Sequence, residues 1–197
     1  MYLSKNKRAN KSDVGSSSNR ISSHGLFSKK QKIISDYEIN IVAVYNHTFL
    51  QVKDINGEVK LYSCGDNQYG QLGLDHKKGI KNWTEMTIPK DFQLEKIEVG
   101  AFHTFMIGKG NVGEAKLFAV GYNGYGQLGL GHSKDVKGWT EVTMPKDFQL
   151  EKMVAGYNYN FMIRKGSKGQ LKVFACGKNQ YGQLGLGHSK DIKGWKE

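Results

Sequence analysis

The sequence predicts an all-β fold built from repeated units, and three observations support this prediction. The phrase Tyr-Gly-Gln-Leu-Gly-Leu occurs three times at intervals of 56 residues: 69–74, 125–130 and 181–186. Three tryptophans keep the same interval: Trp83, Trp139 and Trp195. Short runs rich in aromatic and β-branched residues alternate with Gly and Asn turns, and no helical period interrupts them. Self-similarity at a fixed period of this length indicates stacked supersecondary units.

Each unit contains four such runs, which we predict to be β-strands. Asn56-Gly57 follows the second run of the first unit, and Asn-Gly is a strong signal for a β-hairpin. Apolar residues occupy both faces of the third run, as expected of a strand that is covered on two sides. The first strand is predicted at 39–45, 95–101 and 151–157 in the three units, and the second at 48–52, 104–108 and 160–164. The third is predicted at 59–64, 115–120 and 171–176, and the fourth at 83–88 and 139–144 in the first two units.

Four antiparallel strands in a unit of this size predict a propeller blade, because the turns of a β-helix are shorter. Residues 37–197 hold about three units, bounded as 37–92, 93–148 and 149–197. The last unit is expected to be incomplete and to lack its outer strand, since the chain stops where that strand is predicted to begin. An open flank of this kind is an aggregation hazard unless something covers it.

Residues 1–36 are predicted to form a disordered arm. They are rich in Ser, Asn and Lys and carry +6 of the formal net charge of +11. Basic segments attract nucleic acid, anionic membranes or acidic protein surfaces. A nuclear-import patch at residues 5–11, an organellar transit segment and an inert tail are alternatives. The chain has no apolar run of about 20 residues and no secretory-signal pattern, so we expect an intracellular protein, cytoplasmic or nuclear.

The two cysteines are predicted to be small buried hydrophobes. Cys64 and Cys176 occupy equivalent positions, and the middle unit carries Val120 there. A residue that is interchangeable with valine packs in a core more readily than it forms a disulfide or binds a metal. Free thiols favour a reducing compartment.

The repeated phrase Gly-x-Asn-x-Tyr-Gly-Gln-Leu-Gly resembles the repeat of the regulator-of-chromosome-condensation family. A histidine before the second strand, at His47 and His103, is also similar to this family, and the resemblance covers residues 37–197. We predict a structural role for the Gly and Asn positions, since Gly permits positive φ and close backbone approach while Asn bonds local backbone in turns. These positions are Gly65, Asn67, Gly70, Gly73, Gly121, Asn123, Gly126, Gly129, Gly177, Asn179, Gly182 and Gly185.

The resemblance implies a seven-bladed propeller that binds a small GTPase such as Ran and promotes guanine-nucleotide exchange. It also implies two alternatives, a noncatalytic protein-interaction scaffold and an adaptor held at chromatin or a membrane through residues 1–36. Family members include bacterial effectors that act on GTPases in a host cytosol. Because three units fall short of seven blades, we expect a fragment of a longer protein, self-association that completes the propeller, or a short open stack.

No catalytic residue, cofactor or metal site is predicted. Residues 124–129 spell the dinucleotide-binding fingerprint G-x-G-x-x-G, but no βαβ context accompanies it. His76, His132 and His188 recur once per unit in polar connections, which lie too far apart around a ring to share one ion. Nucleotide exchange needs no acid–base residues, because it works through tighter binding to the nucleotide-free GTPase.

A partner-binding face is predicted where the chain enters the second strand of each unit. Its residues are His47, Phe102, His103, Asn158 and Tyr159. Alternatively, the two histidines only brace the turn that leads into the strand. The recurring Tyr and Trp residues would suit interface anchors, but their regular spacing favours packing between blades. They are Tyr69, Tyr125, Tyr181, Trp83, Trp139 and Trp195.

Overall fold

The computed structural model describes residues 37–144, 150–166 and 169–197. The predicted arm, residues 1–36, lies outside the described residues. In the part of the chain that is described, there is no helix long and apolar enough to span a membrane. The strands are β1 Tyr37–Val44, β2 His47–Asp54, β3 Val59–Gly65, β4 Ile80–Glu85, β5 Phe92–Val99, β6 His103–Gly110, β7 Ala115–Gly121, β8 Val136–Glu141, β9 Leu150–Ala155, β10 Tyr159–Lys165, β11 Leu171–Gly177 and β12 Ile192–Lys196.

These strands pair into three sheets of four antiparallel strands, one sheet for each unit of the sequence. Within each sheet the strands follow chain order from one edge to the other. The register also repeats, because the first residue of the second strand lies opposite the glycine that ends the third. The three pairs are His47–Gly65, His103–Gly121 and Tyr159–Gly177. The predicted fold class, an all-β protein of four-stranded blades, is confirmed.

The first three strands of each unit overlap the predicted ones, but the fourth begins three residues earlier than predicted. It spans Ile80–Glu85 in the first unit and Val136–Glu141 in the second. In the third unit the same strand, Ile192–Lys196, is formed and pairs with β11. The prediction that the third unit lacks its outer strand is therefore wrong. The strand pairs across a register shift, and in the first unit its half-buried first residue, Ile80, is followed by the exposed polar residues Lys81 and Asn82, so its start shows no apolar run.

Two apolar clusters fill the spaces between neighbouring sheets. The first cluster includes Phe49, Leu61, Ile97, Met106 and Phe118. The second cluster includes Phe105, Leu117, Met153 and Met162. Strand β6 contributes to both, because alternate residues of a strand point to opposite faces of the sheet. Each fully buried side chain of this size contributes about 1.5–3 kcal/mol, so the stacking of the sheets is the main source of stability.

A loop–strand joint also links each sheet to the next. The Tyr-Gly-Gln-Leu-Gly-Leu loop of one unit lies on the fourth strand of the following unit. Gly73, at φ +67°, packs against the indole of Trp139, and Gly129, at φ +70°, packs against Trp195. A Cβ atom at either glycine would collide with the ring. Positive φ and close approach together explain why glycine occupies these positions, and Trp139 and Trp195 pack between blades as predicted.

The asparagine of the phrase holds this loop together. Asn67 Nδ2 donates to the carbonyl oxygens of His76 and Lys78 at 2.8 and 3.2 Å, and its Oδ1 accepts from Leu72 N at 2.9 Å. The equivalent bonds are made by Asn123 and Asn179. The histidine side chains of these loops accept backbone N–H bonds through Nδ1. Across the described ranges, no group of three or more His, Cys, Asp or Glu residues is arranged to hold a metal ion.

Both cysteines are free thiols. Cys176 is buried beside the second sheet, where its Sγ donates to Gln127 O at 3.1 Å, and burial raises the pKa of this thiol. Cys64 is half-buried, and burial raises its pKa as well. Both groups therefore remain protonated near neutral pH, as expected of packing residues.

Candidate protein-binding face

Two sets of loops meet at one end of the three sheets. One set connects the first strand of each unit to the second, and the other follows the third strand. The register places both at the same end, and backbone bonds of 2.8 Å join them in every unit. The donors and acceptors are Asp66 N to Asn46 O, Tyr122 N to Phe102 O, and Lys178 N to Asn158 O.

Six aromatic side chains on these loops form a continuous surface, which we call the aromatic face. They are Tyr45, Tyr69, Phe102, Tyr122, Tyr125 and Tyr157. Phe102 is its centre, with ring centroids 5.0 Å from Tyr45, 5.2 Å from Tyr157 and 5.4 Å from Tyr69. All three pairs meet edge to face, a favoured geometry for aromatic rings. Tyr122 extends the surface, 4.8 Å from Tyr69. The aromatic face therefore joins residues of all three units.

The aromatic face is partly exposed, with two of its six rings exposed and four half-buried. Tyr45 is 63% exposed and Tyr157 is 53% exposed, while Phe102 is half-buried between them. Contiguous exposed apolar surface marks interaction sites, and Tyr is enriched among the residues that dominate binding energy. The position and exposure of these rings therefore suit a protein-binding surface.

Tyr45 also has a strained backbone. It occupies the two-residue turn between β1 and β2 with φ 57°, a left-handed conformation that is uncommon for bulky residues. Such a conformation costs about 1–3 kcal/mol and clusters at ligand-binding and switch regions. The turn places the Tyr45 ring 6.1 Å from that of Tyr157. The strained turn presents this ring on the aromatic face.

The chemistry of the aromatic face is that of neutral phenols beside one lysine. Burial and neighbouring tyrosines raise the pKa of Tyr122, and the same two causes raise the pKa of Tyr157. Both phenols therefore keep their protons near neutral pH and can donate hydrogen bonds. Lys178 Nζ lies 5.1 Å from the ring centroid of Tyr125 and 5.7 Å from that of Tyr181. This geometry is that of a cation–π pair and leaves an ammonium group at the rim.

The two histidines predicted for the partner-binding face lie beneath it. His47 and His103 are both buried, and burial lowers the pKa of each to about 4. His103 Nε2 lies 2.8 Å from Asn160 Oδ1 of the next sheet, so the neutral ring donates from Nε2. The prediction that these side chains contact a partner is corrected: their burial leaves no surface for a partner to touch. His103 instead braces the strand entry, the alternative reading.

The other three residues predicted to bind a partner lie in different environments. Asn158 is buried, with its Oδ1 3.5 Å from Gln127 Nε2, so the prediction that it contacts a partner is wrong as well. Tyr159 is half-buried and packs against Phe161 of its own strand, with centroids 6.0 Å apart. Phe102 alone among the five predicted residues belongs to the aromatic face.

Sequence reasoning missed Tyr45, Tyr122 and Tyr157. A signal was present, because Tyr45 and Tyr157 occupy the same position of the first and third units. That position was assigned to the end of the first strand, although it belongs to the turn that follows. Tyr122 is not repeated: the equivalent residues are Asp66 and Lys178. Its role follows only from the contacts of the folded chain.

Buried polar bonds between sheets hold the loops of the aromatic face in a fixed relation. Thr104 Oγ1 donates to Gln71 O of the preceding sheet at 2.9 Å. Asn160 Nδ2 donates to Gln127 O at 2.6 Å, which repeats the same link one unit later. Buried hydrogen bonds of this kind fix orientation, since breaking one leaves an unsatisfied group. The aromatic face is thus preorganised.

A groove of about 880 Å³ lies between the first two sheets, toward the opposite end. Its walls include Lys53, Glu38 and Glu95, beside the apolar side chains of Ile88 and Phe92. The groove is the open edge of the packing between two sheets.

Comparison with known families identifies the repeat. The profile of the regulator of chromosome condensation (RCC1) repeat matches residues 60–107 and 172–193. The chain carries RCC1 repeats, and the predicted resemblance to this family is confirmed. The matched segments contain the loop phrase of the first unit, which builds the first loop–strand joint, and the loop phrase of the third unit.

Curated relatives of this RCC1 repeat protein are larger. The bovine secretion-regulating guanine nucleotide exchange factor is 30% identical over 129 residues, which are 65% of this chain and 26% of the relative. The human X-linked retinitis pigmentosa GTPase regulator is 27% identical over 139 residues, which are 70% of this chain and 13% of the relative. The chain thus spans about a quarter or less of the length of these relatives.

Solved structures agree on the fold. Yeast RCC1 (Prp20), solved bound to Kap60, superposes with a TM-score of 0.61 at 19% identity, covering 79% of this chain and 35% of that chain. Human WBSCR16 gives a TM-score of 0.58 at 19% identity, covering 81% and 39%. Likeness at this identity establishes the fold alone. The three sheets are blades of a partial RCC1-type propeller.

Proposed function

We propose that this RCC1 repeat protein binds a small GTPase, such as Ran, through its aromatic face and promotes the release of guanine nucleotide. The observation that carries the proposal is the exposed, preorganised cluster of aromatic rings centred on Phe102. Two relatives support the choice of partner, since one is named as a guanine nucleotide exchange factor and another as a GTPase regulator.

The proposed mechanism is differential binding. An exchange factor that binds the nucleotide-free GTPase more tightly than the loaded form weakens nucleotide binding by the same factor. Such coupling requires a shaped surface rather than acid–base chemistry, which fits a site made of neutral rings. Exposed Tyr45 and Tyr157 would bury their rings against the GTPase, and Lys178 at the rim would meet an acidic group. A GTPase partner places the protein inside a cell, in the cytoplasm or nucleus.

A second function uses the same surface without exchange. The chain is also similar to a relative named for another activity, the ultraviolet-B receptor UVR8 of Arabidopsis thaliana, which is 28% identical over 131 residues. In that case the aromatic face recruits a partner protein, as a scaffold does. Attachment to chromatin or a membrane through residues 1–36 stays a prediction.

The test measures release of a fluorescent guanine nucleotide from Ran and from a panel of other small GTPases. Tyr157→Ser removes an exposed ring from the aromatic face, and Tyr37→Ser removes an equally exposed ring from the opposite end of the first blade, 52% against 53% exposed. We expect Tyr157→Ser to lower exchange efficiency about tenfold, the effect of losing a binding hot spot. Tyr37→Ser should leave it unchanged.

The outcomes separate the two functions. Binding of a GTPase without faster nucleotide release would favour the scaffold. Equal losses from both tyrosine variants would show that the aromatic face has no special role. Absence of both binding and release across the panel would reject the GTPase proposal.

A further inference from the structure

The loop–strand joint occurs twice in the chain, and half of it is left unmatched on each outer blade. In the two complete joints, Gly73 and Gly129 lie against Trp139 and Trp195. The third loop has Gly185 at this position, and no described atom lies within 4 Å of where its Cβ would be. The tryptophan equivalent to Trp139 on the first blade is Trp83, which is 47% exposed.

The apolar faces of the outer blades are unmatched in the same way. The second blade turns Leu117 toward the third blade, where it is buried. Its counterpart on the third blade is Val173, which is 50% exposed. The second blade turns Ile97 toward the first blade, where it is also buried. The counterpart of Ile97 on the first blade is Ile41, which is 58% exposed. We call the exposed side of the first blade the leading flank and that of the third blade the trailing flank.

We infer that the trailing flank of one chain docks on the leading flank of a second copy, head to tail, by forming the same joint a third time. In this joint the third loop lies on strand β4 of the other copy, with the indole of its Trp83 over Gly185. Gly187 N would donate to Lys81 O, as Gly131 N donates to Lys193 O at 2.8 Å in the second joint. The occupant is a copy of this chain because its own blades supply both halves.

A difference between the two complete joints shows that these particular halves fit. In the first joint Asp75 lies opposite Gly138, and a Cβ at Gly138 would collide with the Asp75 carboxylate. In the second joint the loop residue is Gly131, and a Cβ on the strand opposite it would meet nothing within 4 Å. The first blade carries Asn82 at this strand position, so it requires a loop with glycine there. The third loop supplies Gly187.

A buried polar link can also be repeated. Thr104 Oγ1 donates to Gln71 O across the first joint at 2.9 Å. The corresponding residues on the two flanks are Thr48 of the leading flank and Gln183 of the trailing flank. Their pairing between copies would add a hydrogen bond to the apolar contact and fix the register of the two blades.

A head-to-tail contact uses different surfaces on the two copies, so it closes into a ring or continues as an open array. The described residues form three blades, so two copies supply six of them, which lies within the range of about four to eight known for closed propellers. A closed ring covers the leading and trailing flanks of every copy. An open array leaves only one leading flank and one trailing flank uncovered, at its two ends.

The test measures the mass of the full chain in solution over a series from micromolar to millimolar concentration. Trp83→Glu places a charge on the leading flank, and Val173→Glu places one on the trailing flank. We expect the unchanged chain to reach at least twice its mass of 22.1 kDa, and each variant alone to stay at the mass of one chain. An equal mixture of the two variants should form pairs, because each variant keeps one intact flank.

The mixture separates misfolding from loss of contact, since an unfolded variant could not restore the pair. Val112→Glu is the control, because Val112 is 90% exposed at the hairpin tip between β6 and β7 and lies on neither flank. It should associate like the unchanged chain. A single-chain mass for the unchanged protein at every concentration overturns the inference. So does association that survives in either flank variant, or a mixture that fails to pair.

Discussion

The second and third blades share much of their sequence, yet their strands are buried to different extents. Strand β6 of the second blade is buried at every position except Lys109, whereas the equivalent strand β10 of the third is mostly half-buried. The difference lies in the neighbours, because the second blade is covered on two faces and the third on one. Burial is thus a property of the stack rather than of the repeat.

This contrast implies that one side chain has different energetic value in different blades. A repeat protein is stabilised by the intrinsic stability of each unit and by the interfaces between adjacent units. Substitutions at equivalent positions therefore measure the interface contribution while holding the local sequence and strand geometry nearly constant. Unfolding is measured in dilute solution, where the trailing flank stays uncovered by a second copy.

The largest difference is expected between Phe105→Ala and Phe161→Ala. Phe105 is fully buried in the second apolar cluster, whereas Phe161 is half-buried at the equivalent position of the third blade. Removing a buried Phe costs about 3–5 kcal/mol of unfolding free energy, because a cavity remains. The change at Phe161 should cost about 1 kcal/mol, as for a partly exposed side chain. Urea denaturation measures both, and equal losses would contradict the comparison.

Acid should act on the first two blades and spare the third. His47 and His103 are buried, and burial lowers the pKa of each from 6.5 to about 4, whereas the third blade has Tyr159 at this position. Because the pKa of each imidazole is lower in the folded state, the unfolded state binds a proton at higher pH than the folded state does. Stability is therefore full above pH 6.5 and is lost as the pH falls toward 4, by about 3 kcal/mol per histidine.

His103→Gln checks this prediction, because its neutral side chain still carries an N–H donor for Asn160. The free energy of unfolding is measured between pH 7 and pH 4 for both proteins. About half of the pH dependence should disappear in the variant. An unchanged dependence would show that groups other than His103 control the acid response.

Substituting alanine for the loop glycines should separate two costs in unfolding free energy, the strain of positive φ and the collision of the new Cβ with a tryptophan ring. Gly129 and Gly185 both have φ +70°, so alanine costs about 1–2 kcal/mol of backbone strain at either position. At Gly129 the new Cβ also meets the Trp195 indole, whereas at Gly185 it meets no described atom within 4 Å. Overpacking adds about 1–3 kcal/mol. Gly129→Ala should therefore lower the unfolding free energy more than Gly185→Ala, and the reverse order would contradict this account.

Much of the fold follows from the sequence because the repeat is exact in length. The interval of the loop phrase fixes the units, and apolar runs with turn signals locate the first three strands of each. The sequence pattern puts the fourth strand too late, since the exposed Lys81 and Asn82 follow its first residue, Ile80, and its pairing contains a register shift. Register shifts are set by tertiary pairing, which no local pattern encodes.

The candidate site was less predictable than the fold. The sequence pointed to the correct loops through His103 and Phe102, but alternation around the strand entry buries His103 and leaves Phe102 near the surface. The contact of Tyr45 with Phe102 joins two units and could not be inferred within one. Contacts between units depend on how the blades stack, and spacing alone does not give that geometry.

The smallest expected effect concerns a charge pair that crosses only one of the two joints. Lys77 Nζ lies 3.4 Å from Asp135 Oδ2 across the first joint, with both groups partly exposed. The second joint has Ser133 in place of the lysine, although Asp191 takes the position of Asp135. Each aspartate accepts a bond from the loop asparagine of its own blade, at 3.0 Å for Asp135 and 2.8 Å for Asp191. The acceptor for a new pair is therefore already in place.

Ser133→Lys should form this pair and raise the unfolding free energy by about 0.2–1 kcal/mol, the range for exposed ion pairs. Ser189→Lys is the matched control, because the same loop position on the trailing flank faces no further blade within the described residues. Urea denaturation at low and high salt measures both variants. The gain from Ser133→Lys should shrink at high salt, since exposed charges are screened. A gain that is independent of salt, or equal in Ser189→Lys, would show that lysine stabilises the loop itself and that the two joints do not differ in this respect.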